Sequence, residues 1–179
     1  MEEPNLATIF RALSFAAHKH RDQRRKDDQA SPYINHPIAL ARVLCDEAGV
    51  TDTDILCAAL LHDTVEDTDT TPQELEAEFG PAVRRIVMEV TDDKTLPKAE
   101  RKRLQIAHAA GASYAAKLVK LADKICNLRD VDQSPPVEWD LARRQAYFDW
   151  AREVVAQIRG TQPRLEALFD AAYGRRPVD

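Results

Sequence analysis

The chain has 179 residues, 44% hydrophobic and 31% charged, which suits a single soluble globular domain over 1–179 with a real core. A net charge of −5 argues against general binding to nucleic acid or a membrane surface, and no apolar run approaches bilayer-spanning length. Met1-Glu2-Glu3-Pro4 shows no signal peptide, and Cys45, Cys57 and Cys126 form no CxxC pair, so a cytoplasmic protein with buried, reduced thiols is expected.

Asn5 can cap a first helix over 5–20, in which Leu6, Ile9, Phe10, Leu13 and Ala17 recur at helical spacing. Lys19, His20, Arg21, Arg24, Arg25 and Lys26 then make a basic segment that runs into a loop; from the charge run alone it can equally be a solvated turn. Pro32 and Pro37 frame Tyr33-Ile34-Asn35-His36, with Pro37 suited to the first turn of a helix reaching about Glu47, Ile38, Ala41, Leu44 and Cys45 inward. A lone His at such a start is more often a cap or a packed ring. His36 becomes a ligand candidate only if His62 and Asp63 come close.

Thr51-Asp52-Thr53-Asp54 offers caps for the next helix, an almost unbroken apolar run from Ile55 that delivers His62, Asp63, Glu66 and Asp67. Read as one continuous helix, it sets His62 and Glu66 one turn apart, and Asp63 and Asp67 likewise. Three carboxylates at the C-terminal end of an apolar helix oppose its dipole, and leaving them buried and unpaired is costly. A divalent cation offsets that charge, and a His-Asp pair is a plausible part of its shell.

Thr71-Pro72-Gln73-Glu74 is a capping box for a short helix stopped by Gly80, followed by another over 81–91. Residues 91–97 read as loop, and Lys98 to His108 as charged and half exposed. In a helix over 113–130, Leu118, Leu121, Ala122, Ile125 and Leu128 form the apolar face, with Asp123 and Asn127 at its margin. Asp123 is either paired to Lys120 or Lys124 or a fourth metal ligand; the residues alone favour the pair. After a break at 133–136, a long helix is expected over 137–159, where Arg143 and Tyr147 could project together, and a last one over 162–173. No strand shows period-two alternation, so the expected class is all-α.

His36, His62, Asp63 and Asp123 would make a mixed nitrogen and oxygen shell suited to Mn²⁺ or another first-row divalent ion. Such an ion makes water acidic enough to act near neutrality, and Glu66 and Asp67 could orient that water or move its proton. Surrounding basic residues imply a polyanionic substrate and phosphoester or pyrophosphate hydrolysis.

The order His36, His62-Asp63, Asp123 resembles the signature of the HD-domain phosphohydrolase superfamily. Arg25-Lys26, Tyr33-Ile34-Asn35-His36-Pro37, the run Leu61 to Thr68, Val90 to Lys94, Val119 to Lys124 and Asn127-Leu128-Arg129 are more narrowly similar to the hydrolase domain of RelA/SpoT homologues. The single-domain small alarmone hydrolases, metazoan SpoT homologues among them, are the most similar branch, over about residues 6–160. The resemblance implies an HD helical bundle of about eight to ten helices around one Mn²⁺ per chain. It further implies release of the 3′-pyrophosphate from ppGpp and pppGpp, giving GDP or GTP. Carried over by residue, the metal ligands are His36, His62, Asp63 and Asp123, and the catalytic groups Glu66, Asp67 and Asn127. The substrate contacts are Arg25, Lys26, Lys98, Arg143 and Tyr147. Asp130 stands where long bacterial members often have Thr, and Cys126 where they often have His or Tyr. Without a synthetase or regulatory region following, hydrolysis without synthesis is expected. Competing expectations are an NADPH 2′-phosphatase or other nucleotide phosphohydrolase, and, from another class, a non-catalytic alarmone-binding module. No nucleic-acid or membrane partner is expected, and the oligomeric state is open.

Overall fold

In the computed structural model, which describes residues 4–178, each named element is a helix. The Met1–Glu3 start, read above for a signal peptide, lies outside the described residues. Helix α1 spans Leu6–Lys19, and the Asn5 side chain caps it by accepting from the Thr8 N–H. Its packed face differs from the one the large side chains suggest. Ala12 and Ala16 are buried, whereas Leu6 and Phe10 are each 62% exposed. Small residues at the contact let α1 lie close against the central helix.

Helix α2, Asn35–Arg42, runs into a π-helical turn, Val43–Glu47, where the Ala48 N–H reaches back to the Val43 carbonyl. The wider turn changes which residues face in. Leu40, Val43 and Leu44 are buried, and Cys45 is exposed, against the expectation of three buried thiols; Cys57 and Cys126 are buried.

Helix α3, Thr53–Leu61, is the centre of the molecule. Asp52 caps it by accepting from the Asp54 and Ile55 N–H groups. Every residue from Ile55 to Leu61 is buried, because α1, α2, α5 and α7 all pack on it. A helix apolar all round needs neighbours on every side, and each buried Leu or Ile contributes about 1.5–3 kcal/mol.

A short helix α4, Thr64–Asp67, follows, then α5, Pro72–Val90, capped by Thr71 through the Glu74 N–H. Gly80 breaks α5 at φ 87°, and Pro81 restarts it, so the two expected helices meet there with a kink. Helices α6, Lys98–Ala109, α7, Tyr114–Gln133, α8, Leu141–Ala156, and α9, Pro163–Tyr173, complete the order. Helix α8 is shorter than the expected 137–159. Asp140 caps it by accepting from the Arg143 N–H, which leaves Trp139 in the turn ahead of the helix. Among the described residues, no helix is long and apolar enough to cross a membrane.

Candidate functional site

The stretch from Leu61 to Asp67 is not one helix. Helix α3 ends at Leu61, Asp63 takes φ −100° and ψ 0°, and α4 starts anew at Thr64. The buried Thr64 hydroxyl donates to the Leu61 carbonyl at 2.7 Å, satisfying an acceptor that the broken helix leaves open. His62 and Glu66 therefore do not share a helix face. The break instead brings the His62 ring to α2 and α7.

His62 Nδ1 lies 2.8 Å from the Ala59 carbonyl. A carbonyl only accepts, so Nδ1 carries a proton, and in the neutral ring Nε2 is the atom that presents a lone pair. That buried Nε2 has no hydrogen-bond partner, although Asp63 Oδ2 is 2.9 Å away. His36, in the first turn of α2, places Nε2 3.2 Å from Asp123 Oδ1 on α7, and His62 Nε2 is 4.0 Å from the same oxygen. His36, His62 and Asp123 each offer a donor atom, all within 4.8 Å of one another. Two donors held about 2.1 Å from one ion lie about 3 Å apart at a right angle and about 4 Å apart when opposite. The separations of 3.2 and 4.0 Å from Asp123 Oδ1 fall in that range, and the three donors could hold one divalent ion. Asp63 is not among those three; the Tyr33 hydroxyl donates to its Oδ2.

Two cavities meet at His36. The inner one, about 230 Å³, is lined by Glu66, Lys98 and the metal-binding candidates. The outer one, about 530 Å³, is lined by Lys26, Asp67 and Asp130. Arg25, Tyr33, His36, Asn127 and Tyr147 line both. Arg25 is positioned by the basic loop, which is no free turn: its N–H bonds the Ser31 carbonyl at 2.8 Å, beside an isolated antiparallel bridge between Arg24 and Pro32. Its guanidinium meets Asp130 and lies 3.5 Å from Asn127 Oδ1. Arg143 lines neither cavity; its guanidinium sits 4.7 Å over the Trp139 ring.

Residues 12–147 match the HD domain family. The chain is 57% identical over 170 residues to the mouse protein named guanosine-3′,5′-bis(diphosphate) 3′-pyrophosphohydrolase MESH1, covering 95% of each chain. The Xenopus tropicalis protein of the same name is 60% identical over 167 residues, covering 93% of each. The chain belongs to the HD domain family, in its MESH1 branch. A solved structure described as a metazoan orthologue of SpoT that hydrolyses ppGpp superposes at a TM-score of 0.93 with 50% identity, over 98% of each chain.

The electrostatics of the HD centre follow from burial against crowded charge. Burial disfavours the charged form of His62, but the Asp63 and Asp123 carboxylates outweigh it and push the ring up to about 9. Burial likewise works against ionised Asp63 and Asp123. His62 nevertheless holds Asp63 well below the usual carboxylate range, and Lys124, 2.9 Å from Asp123 Oδ2, and His36 do so for Asp123. Both carboxylates are thus ionised at neutral pH, and a cation here competes with the His62 proton. Glu66 behaves in the opposite way. Burial and the nearby carboxylates push it up to about 7, although its Oε2 accepts from the Asp92 N–H at 3.0 Å. Asp67 accepts from Gln23 at 2.8 Å and from Lys94.

Several residues of the HD site escape the sequence reading. Tyr33 holds Asp63, and Arg101, Lys102, Lys120 and Trp150 line the inner cavity. A signal for the α6 residues does exist: Lys98, Arg101, Lys102 and Gln105 fall at i, i+3, i+4 and i+7, one polar face. It reads as a solvated face until α7 and α8 close over it.

Proposed function

We propose that this HD-domain chain hydrolyses ppGpp and pppGpp, releasing the 3′-diphosphate and leaving GDP or GTP. The observation that carries the proposal is a buried three-donor metal group set in a cavity walled by lysine and arginine. Similarity to proteins named for this reaction supports the substrate. The proposed ion is one Mn²⁺ per chain, held by His36, His62, Asp63 and Asp123, a donor set of imidazole and carboxylate. When bound, it supplies Lewis acidity towards the phosphoryl oxygens and towards water.

In the proposed reaction a water oxygen bonds to the phosphorus that carries the 3′-oxygen. The bond from that phosphorus to the 3′-oxygen breaks, and the 3′-oxygen gains a proton. Glu66, a carboxyl that titrates near neutrality inside the cavity, takes the proton that the water gives up. Asp67, steered by Gln23 and Lys94, assists from the outer side. Asn127 donates its amide to Asp123 Oδ1 at 2.6 Å and faces Arg25 with its oxygen, coupling the metal group to the substrate side. Arg25, Lys26, Lys98 and Tyr147, which line the cavities, are the proposed substrate contacts; Arg143, outside the lining, would reach the substrate only by leaving the Trp139 ring.

The test is a product assay on the purified protein with Mn²⁺ and with chelator, offering ppGpp and NADPH side by side. GDP and pyrophosphate in equal amounts, only with Mn²⁺, are expected. Release of orthophosphate from NADPH with no cleavage of ppGpp would reassign the substrate.

A further inference from the structure

The inner cavity extends past the metal donors to a wall built by α6 and α7. Five cations of that wall face the cavity: Lys98, Arg101 and Lys102 from α6, Lys120 and Lys124 from α7. Two of them have carboxylate partners, Arg101 with Glu66 at 3.8 Å and Lys124 with Asp123 at 2.9 Å. Among the described residues, no carboxylate lies within ion-pair reach of Lys98, Lys102 or Lys120. Burial and the neighbouring cations lower the proton affinity of all three, although Asp92, Asp123 and Glu89 oppose this at Lys120. Like charges gathered without a paired anion raise the free energy of the folded state, and an incoming anion lowers it.

The side chain of Lys102 is also held in place. Trp150 donates its indole N–H to the Lys102 carbonyl at 3.1 Å, and its ring lies 4.7 Å from Lys102 Nζ and 4.4 Å from Lys124 Nζ. A ring face attracts an ammonium without using its N–H donors, so those donors remain for a ligand in the cavity. The outer cavity differs in kind. Ala39, Val131, Pro136 and Trp139 give it an apolar wall suited to a nucleoside. Of the candidate metal donors, His36 lines both cavities, and His62, Asp63 and Asp123 line the inner one.

We propose that Lys102 and Lys120 form a subsite for the far phosphate of the scissile diphosphate, so that this chain selects a diphosphate over a monophosphate leaving group. The proposal rests on the ppGpp reading above. In that reaction the departing diphosphate carries the water oxygen on its near phosphorus, while its far phosphate stays on the two lysines. Pyrophosphate is therefore a product that binds on its own, and orthophosphate binds far less well.

The experiment compares the wild type with Lys102→Met and Lys120→Met, which keep the apolar stem and remove the charge. Circular dichroism checks folding, and half-buried Lys102 carries the test if Lys120→Met does not fold. Two measurements are made at one fixed free Mn²⁺ concentration, so that chelation by the ligand is common to all proteins. Calorimetry with inorganic pyrophosphate should show binding weakened about 10- to 100-fold in the variants, the scale for losing a hydrogen bond to a charged group. Kinetics should show a similar fall in kcat/KM for ppGpp but less than about threefold for guanosine 5′-diphosphate 3′-monophosphate. Equal losses on the two nucleotides, or unchanged pyrophosphate binding in a folded variant, would overturn the subsite. A wild type that does not cleave ppGpp would defeat the functional reading instead, and the pyrophosphate calorimetry would still decide the subsite.

Discussion

Replacing Glu66 by Gln keeps the shape and the oxygen that accepts from the Asp92 N–H, and removes one titrating carboxyl. In the folded chain that carboxyl is pushed up to about 7, from its ordinary value of 4.5. Below 4.5 it is protonated whether the chain is folded or unfolded, and its contribution to stability is fully present. Between 4.5 and 7 the unfolded chain ionises first, so stability is lost as the pH rises. Above 7 both states are ionised and the loss is complete. A shift of about 2.5 pKa units corresponds to roughly 3 kcal/mol. The side chain is 15% exposed, so solvent screening removes little of this. Urea denaturation of chelator-treated protein at several values from pH 4 to pH 8 measures it. The stability of the wild type relative to Glu66→Gln should fall by about 3 kcal/mol across that range, all other titrating groups being common to both. With Mn²⁺ restored, the variant should keep its metal and lose about 10²–10⁴-fold in turnover. Parallel stability profiles would refute the buried, proton-holding Glu66, and loss of metal from the variant would make it a ligand.

Asp63→Ala should lose most bound Mn²⁺ by elemental analysis while its far-ultraviolet circular dichroism stays near wild type; full occupancy would remove Asp63 from the ligand set. Arg25→Ala should raise KM for ppGpp, and Arg25→Lys should restore only part, because Lys returns the charge but not the flat guanidinium that lies 5.8 Å over the Tyr33 ring. Asp130→Asn frees the Arg25 guanidinium from its partly exposed partner and should lower KM for ppGpp by up to about fivefold; a higher KM would mean that Asp130 holds Arg25 in its working position. Leu61→Ala, at a fully buried position in α3, should cost about 2–5 kcal/mol in denaturant melts, and a cost below about 1 kcal/mol would contradict the packing described.

The residues determine by themselves whatever depends on near neighbours. Asn5 and Thr71 cap the helices expected of them, Gly80 interrupts α5, and the apolar run from Ile55 is buried on every side. Those signals act within about one helical turn, or through the hydrophobicity of a single segment, and so they are legible in the chain. The HD pair was legible as chemistry but not as shape. Nothing local separates a continuous helix from one that stops at Leu61; the break is held by Thr64 and by the convergence of His36, His62 and Asp123 from three elements. Asp123 shows the same limit. Its neighbours permit an ion pair with Lys124, a bond 2.9 Å long in the fold, and only the approach of α2 adds His36 at 3.2 Å and makes the carboxylate a candidate metal donor as well. The exposed Leu6 and Phe10, the outward Cys45 and the cations of α6 were decided in the same way. Periodicity states that a helix has faces, but which face is buried depends on the element that packs against it, and that element comes from a distant part of the chain.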